Sequence, residues 1–410
     1  MIHIFVFNNA SRAANYGVGT YIKQLSGCLS EWSECKLSFV DFHADTKEFM
    51  RTIDEQGHTH YLIPTVRKGV ENETDLRVVF YYLARNIDNI VADKLVFQFN
   101  YFQHRLLAEL LKGYYLGSRI VLTVHYLSWC FELKGNYSQF QGIIRKEKIS
   151  EAEVDKRVKN SYENEKRFLQ LADEIIVLSK NTREILIKDY RISEDKLHVA
   201  YNGLRETSLF RGTCQPEFRN ILYAGRLDEI KGVEYLIGAF KRVISKYKEC
   251  HLIIVGEGNF QPYLSQCLDI HEHVSFLGKL NNEELEAIYE SAYIGVIPSF
   301  HEQCSYSVIE MMRCGIPVIG TDSTGLSEML DNTPFLRISI NESEFDEEDF
   351  ISQLTIRIET LLSDAEIYQE ASETVRLLYS ERYQVSIMSG KVKNILLSSF
   401  ARRNYIVSTD

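Results

Sequence analysis

Two carboxylates, Glu302 and Glu310, stand eight positions apart within the segment Pro298 to Glu328. The segment follows an apolar run of strand character, turns, and enters a short helical stretch. Glu302 therefore falls in the turn and Glu310 inside the helix. Between them lie Cys304, Ser305, Tyr306 and Ser307. The first amides of a helix have no intrahelical partner and carry partial positive charge, so they suit an anion such as a diphosphate. A carboxylate at Glu310 can accept hydrogen bonds from two ribose hydroxyls, and Glu302 can do the same for the hydroxyls of a sugar. Cys304 has no paired base beside it, which argues against a nucleophilic thiol.

A second segment, Gly225 to Gly232, follows the apolar run Ile221 to Ala224. Arg226 and Lys231 would project from a strand end and a helix start, where charge-assisted hydrogen bonds suit a leaving diphosphate. Gly225 sits at the bend. A third segment runs from Asn15 through Gly17 and Gly19 to Tyr21, just after the first apolar run. Glycines there let backbone approach a ligand closely, although Ile22 stands where the full dinucleotide fingerprint needs glycine. His125 closes the run Ile120 to Val124 and would sit at a strand end. Asn202 and Gly203 read as a plain turn.

The elements that must position these residues alternate. Strands are expected at 2–7, 37–41, 94–99, 119–124, 174–178 and 197–200, and then at 220–225, 251–255, 273–277, 293–297, 316–320 and 335–338. Helices fall between them at 19–31, 75–91, 102–112, 155–171 and 180–190, and then at 232–247, 282–290, 306–314 and 346–363. Continuous apolar runs such as Leu252 to Val255 suit strands covered on both faces. Such alternation implies an α/β fold of doubly wound parallel sheets. The pattern restarts near residue 219, after a polar stretch from Tyr201 to Phe218 that reads as a linker. Two Rossmann-like domains are expected, at 1–205 and 219–380, with a terminal helix at 381–398 returning to the first. Facing each other, they would place two ligands in one cleft, beyond the carboxyl ends of their strands.

With 45% hydrophobic and 25% charged residues, the 410-residue chain has the balance of a globular protein. A net charge of −11 argues against nucleic acid as a partner. No apolar run nears the about 18 residues of a membrane span, and the opening Ile2 to Phe7 is too short for a signal segment. A cytoplasmic location is expected, peripheral at the inner membrane face if residues 128–168 touch lipid. That aromatic and mixed-charge stretch reads either as a helix pair over the first domain or as an acceptor or membrane-surface contact. Eight scattered cysteines form no Cys-x-x-Cys pair. The pairs His58/His60 and His271/His273 lack further spaced ligands, so no metal site is expected.

Together these segments resemble the GT-B fold glycosyltransferases, specifically the large family-4 class of retaining enzymes. The resemblance runs from about residue 2 to residue 332 and is densest from 219 to 330. Its marks are Glu302 and Glu310 with seven residues between, Gly225-Arg226 with Lys231-Gly232, the turn Val255 to Gly258, and the run Cys314 to Ile319. The resemblance implies that Arg226 and Lys231 bind the diphosphate of a nucleotide sugar. Glu310 would hold the ribose, Glu302 would lie beside the transferred sugar, and His125 would contact that sugar from the first domain. Gly17 and Gly19 would line a loop facing the phosphates or the acceptor.

It further implies a metal-independent hexosyl transfer, with a UDP- or GDP-linked sugar as co-substrate and no resident cofactor. Saccharide, lipid-linked and peptide acceptors are all compatible. Polysaccharide or glycoconjugate synthesis is the default role for the class. A nucleotide-sugar epimerase of the same fold, or a catalytically silent partner subunit, are the alternatives. The chain departs from the family where small residues usually follow the first glutamate: Gln303, Cys304 and Ser305 stand there, which puts the sugar-side turn in doubt.

Overall fold

The strand β1 (Ile2–Asn9) is buried along nearly its whole length and lies inside a parallel sheet, as its unbroken apolar run requires. The computed structural model describes residues 1–9, 17–65, 73–87, 94–146, 151–206, 219–340 and 345–401. The other strands of this sheet are β2 (Cys35–Ala44), β3 (Met50–Ile53), β4 (Thr59–Pro64), β5 (Lys94–Phe99), β6 (Arg119–Val124), β7 (Glu174–Val177) and β8 (Leu197–Val199). Their order is β3-β4-β2-β1-β5-β6-β7-β8, parallel except for the pair β3/β4. The order reverses at β1, which pairs with β2 on one side and β5 on the other. Ligands in such sheets gather at the carboxyl ends beside the reversal.

A second sheet contains β9 (Arg219–Ala224), β10 (Cys250–Val255), β11 (Val274–Gly278), β12 (Ala292–Ile297), β13 (Val318–Thr321) and β14 (Arg337–Ile338). It is parallel throughout, in the order β11-β10-β9-β12-β13-β14. Here the reversal falls at β9, so the loops leaving β9 and β12 emerge side by side. One carries Gly225 to Gly232, and the other carries Pro298 to Ser305.

The chain divides into two compact units. One contains residues 1–127, 151–203 and 385–410; the other contains 128–150 and 204–384. The expected helix pair over the first domain is therefore corrected. Residues 128–150 group with the second unit, while the helix Glu153–Leu171 stays with the first. The aromatic side chains explain the move: Trp129 stacks on Phe140 at 4.7 Å and meets His301 edge-on at 6.1 Å. The terminal helix expected at 381–398 is Val385–Ala401; it is separated from the helix Ala365–Leu378 at the extended Gln384, where the chain passes back to the first unit. Residues 207–218 of the expected linker lie outside the described residues. Among the described residues, no helix is long and apolar enough to cross a membrane.

Strands β3 and β4 have no counterpart in the expected pattern. All four residues of β3 are exposed, and β4 alternates buried with half-buried positions. His58 and His60 sit at this edge. His60 Nδ1 lies 2.7 Å from Asp41 Oδ2 and its Nε2 lies 3.3 Å from Asp54 Oδ2. A carboxylate can only accept, so the protonated ring, with a hydrogen on each nitrogen, satisfies both contacts at once. The hydrogen bond to Asp41 raises the His60 pKa, with Asp54 adding to it. A raised histidine pKa stabilises the fold below the unfolded value and loses that contribution as pH rises through the folded one. The urea midpoint is therefore expected to fall as pH climbs above 6.5, and His60→Gln should remove that component of the slope.

Candidate functional site

The site on the second sheet starts where β9 ends. The Gly225 amide donates to the Val255 carbonyl at 2.9 Å and that of Leu227 to Glu257 at 2.9 Å, which ties this loop to the one leaving β10. The two backbones touch because residue 256 is glycine: a Cβ there would lie 1.7 Å from the Gly225 oxygen. The Tyr223 hydroxyl donates to the Arg226 carbonyl at 2.6 Å. The half-buried Arg226 pairs with Asp228 at 2.9 Å, and its guanidinium lies 5.9 Å from the centre of the Phe131 ring.

Lys231 ends the short turn Glu229–Lys231 that leads into the helix Val233–Lys246. Its Nζ donates to Glu302 Oε1 at 2.6 Å, with both side chains mostly buried. Ser299 Oγ donates to the same oxygen at 3.1 Å. The backbone of Glu302 is held as firmly. Thr324 Oγ1 donates to its carbonyl at 2.6 Å and accepts from its amide at 3.1 Å, and the Gly325 amide donates to that carbonyl at 2.8 Å. The charges of Glu302, Asp228 and Arg226 all act on the buried Tyr223 hydroxyl, so these groups share one locality.

The turn after Glu302 closes despite Gln303, Cys304 and Ser305. Gln303 and Cys304 are buried, and the close approach is made from the other side. A Cβ on Gly325 would fall 1.8 Å from the Gln303 carbonyl oxygen. Cys304 is a buried thiol. Ser305 caps the helix Tyr306–Arg313 in an extended conformation, with no side-chain cap hydrogen bond. The sequence marks the first-turn amides, Ser307 among them, as candidates to meet an anion.

Glu310, in the middle of this helix, accepts from the Tyr289 hydroxyl at 2.5 Å. Enclosure raises its pKa, while Tyr289 and the charge of Arg313 pull it back. The structure thus brings Arg226, Lys231 and Glu302 together, and holds Glu310 on the adjoining helix by a separate set of partners. Tyr289, Ser299 and Phe131 were not foreseen. Tyr289 and Phe131 meet Glu310 and Arg226 from distant sequence positions with no motif, whereas Ser299 stands only three residues before Glu302.

The segment 128–146 adds a wall to this site. Lys134 pairs with Glu229 at 2.6 Å, and Phe131 stands by Arg226. Gly135 packs so closely that a Cβ would lie 2.6 Å from the Phe300 carbonyl oxygen. Burial holds His301 neutral, its pKa down to about 4.

The first-sheet candidates lie toward the carboxyl ends of β1, β5 and β6. His125 follows β6, half-buried, with Nε2 3.0 Å from Asn100 Oδ1. The Tyr21 ring meets it edge-on at 4.8 Å. Burial pushes its pKa down to about 3, so the ring is neutral. Gly17 and Gly19 open the helix Gly17–Ser30. Asn15 and Tyr16 lie outside the described residues. Among the described residues, no cluster of three or more His, Cys, Asp or Glu side chains is arranged to hold a metal ion.

Two doubly wound parallel sheets, with a cation pair and a carboxylate pair at the ends of β9 and β12, define the GT-B class. A solved sucrose-phosphate synthase from Thermosynechococcus elongatus shares this fold, with a TM-score of 0.76 over 98% of this chain and 100% of that one, at 16% identity. The family described as "Glycosyltransferase Family 4" matches residues 16–207, and "Glycosyl transferases group 1" matches residues 218–364. The chain belongs to the group 1 glycosyltransferases of the GT-B fold. It is similar to an uncharacterized glycosyltransferase of Methanocaldococcus jannaschii, 32% identical over 173 residues, covering 38% of this chain and 44% of the relative. It is also similar to the alpha-D-kanosaminyltransferase of Streptomyces kanamyceticus, 23% identical over 179 residues, covering 43% of this chain and 44% of that protein. Each of these matches spans under half of the relative's length.

Proposed function

We propose that the protein is a retaining glycosyltransferase. It moves a hexose-type sugar from a UDP- or GDP-linked donor to a hydroxyl of a saccharide or lipid-linked acceptor, in polysaccharide or glycoconjugate synthesis. The observation that carries this reading is the meeting of Arg226, Lys231 and Glu302 at the neighbouring ends of β9 and β12. Cations and a helix mouth that suit a pyrophosphate lie next to a fixed carboxylate that suits a sugar hydroxyl.

In the proposed reaction the bond between the anomeric carbon and the phosphate oxygen breaks, and its electron pair stays on that oxygen. Arg226, Lys231 and the amides near Ser307 stabilise the growing charge. Fixed donors of this kind are worth roughly 3–4 kcal/mol each in the transition state. The acceptor oxygen bonds to the anomeric carbon on the face the phosphate leaves, and its proton passes to the leaving oxygen. Retention by same-face attack is supported by the state of Glu302. Its Oε1 is engaged by both Lys231 and Ser299, which suits an orienting carboxylate better than a nucleophile. The local cations supply the charge that a metal provides elsewhere, which supports metal independence.

Glu310 would accept from the ribose hydroxyls, and it accepts best when ionised. Its pKa is raised, so nucleotide affinity is expected to fall as pH drops through a value above 4.5. Calorimetric titration of UDP and GDP across that range checks this, and Glu310→Gln should flatten the dependence while weakening binding throughout.

A panel of nucleotide sugars, followed by release of nucleoside diphosphate with and without saccharide acceptors, tests the whole reading. Acceptor-stimulated release that Arg226→Ala abolishes is the expected outcome. Donor conversion without acceptor would favour an epimerase, and failure to bind any donor would favour a silent subunit.

A further inference from the structure

The hydrogen bonds around His125 can be read from a fixed reference. The Phe7 carbonyl, at the end of β1, is an acceptor and nothing else. Asn100 Nδ2 donates to it at 3.1 Å. That bond settles which way the Asn100 amide faces, because the reverse orientation would set two carbonyl oxygens against each other. The amide oxygen is therefore the atom 3.0 Å from His125 Nε2. Gln98 Nε2 approaches the same oxygen at 3.4 Å and donates to Thr123 Oγ1 at 3.1 Å. Thr123 in turn lies 3.3 Å from the Tyr21 hydroxyl. Asn100 and Gln98 are both 2% exposed, so water does not compete for these bonds.

An amide oxygen only accepts, so His125 Nε2 must carry the proton. In a neutral ring the other nitrogen is then a lone pair. Burial keeps this ring neutral, with a pKa of about 3. Among the described residues, Nδ1 makes no hydrogen bond. Three strand ends, those of β1, β5 and β6, thus cooperate to fix one proton.

We propose that Asn100 is a positioning residue that locks His125 in the Nε2–H tautomer, leaving Nδ1 as an acceptor for a ligand hydroxyl. The chemistry this selects is narrow. A hydroxyl can donate to Nδ1, whereas an unprotonated phosphate oxygen would meet lone pair against lone pair. His125 then reads sugar or acceptor hydroxyls rather than the diphosphate. The hydroxyl assignment rests on the transferase reading above; the tautomer itself does not.

Long-range proton–nitrogen NMR spectra of protein labelled with nitrogen-15 histidine test the tautomer directly. The chain has 11 histidines, and the signal lost in His125→Gln assigns the right one. Wild type is expected to show a single Nε2–H tautomer at neutral pH. Asn100→Ala should give a tautomer mixture and lower kcat/KM about tenfold, the loss of roughly one hydrogen bond. Asn100→Asp guards against misfolding of the alanine variant. Its carboxylate should draw a second proton onto His125 and produce the imidazolium pattern.

An Nδ1–H tautomer in wild type would overturn the proposal. So would spectra that neither substitution changes, or a shifted tautomer with undiminished turnover. If wild type turns over no nucleotide sugar, the transferase reading falls while the tautomer result still decides the role of Asn100.

Discussion

Lys231→Ala is expected to lower turnover by roughly 10²- to 10³-fold, as loss of a fixed donor at a charge-developing oxygen does. The effect has two sources. The leaving diphosphate loses a cation, and Glu302 loses its partner at 2.6 Å. Removing one member of an enclosed ion pair leaves the other charge desolvated. Glu302 then keeps Ser299 but is free to reorient. Lys231→Arg should recover part of the rate, since charge returns without the point geometry of the ammonium. Lys134→Ala is the control. Its pair with Glu229 is exposed on both sides, and such pairs contribute little, so activity and stability should barely change. Steady-state release of nucleoside diphosphate, with circular dichroism to confirm folding, measures all three.

The second large effect belongs to Gly325→Ala. The added carbon would lie 1.8 Å from the Gln303 oxygen and 2.5 Å from its carbonyl carbon. Both are backbone atoms, so the turn carrying Glu302 must move. A loss of roughly 1–3 kcal/mol or more follows from overpacking of this kind. Activity should fall further than stability explains, because the Gly325 amide also holds the Glu302 carbonyl. Gly113→Ala makes the contrast. It lies in the helix Arg105–Tyr114 with nothing within 4 Å of the added carbon. Alanine there should stabilise by up to about 1 kcal/mol. Denaturant midpoints separate the two outcomes.

Why was so much of the site legible in the sequence? Parallel strands covered on both faces must be apolar throughout, and Leu252 to Val255 or Ile294 to Ile297 announce that directly. Their carboxyl ends then fix where Arg226 and Glu302 fall. The pairing of Lys231 with Glu302 was not foreseen; it follows from the order of strands, which places β9 beside β12.

What escaped has a common cause. The edge strand β3 is exposed on every residue, so no apolar pattern marks it. Trp129 and Phe140 signal burial but not against which unit, because covalent order says nothing of packing partner. Tyr289 and Asn100 meet Glu310 and His125 through single long-range bonds with no motif around them. The terminal helix starts four residues later than the expected 381, because neither proline nor glycine marks the break at Gln384. The loss of small residues after Glu302 suggested a disturbed turn. Instead Gly325, in the first turn of the helix Thr324–Met329 after β13, supplies the close approach.

The most direct measurement is a crystal structure of the protein soaked with UDP and, separately, GDP. The account predicts one of them bound at the ends of β9 and β12, its diphosphate touching Arg226, Lys231 and the first amides of the helix Tyr306–Arg313, and its ribose hydroxyls on Glu310. A nucleotide seated away from these groups, or a site that stays empty at saturating concentrations of both, would contradict it.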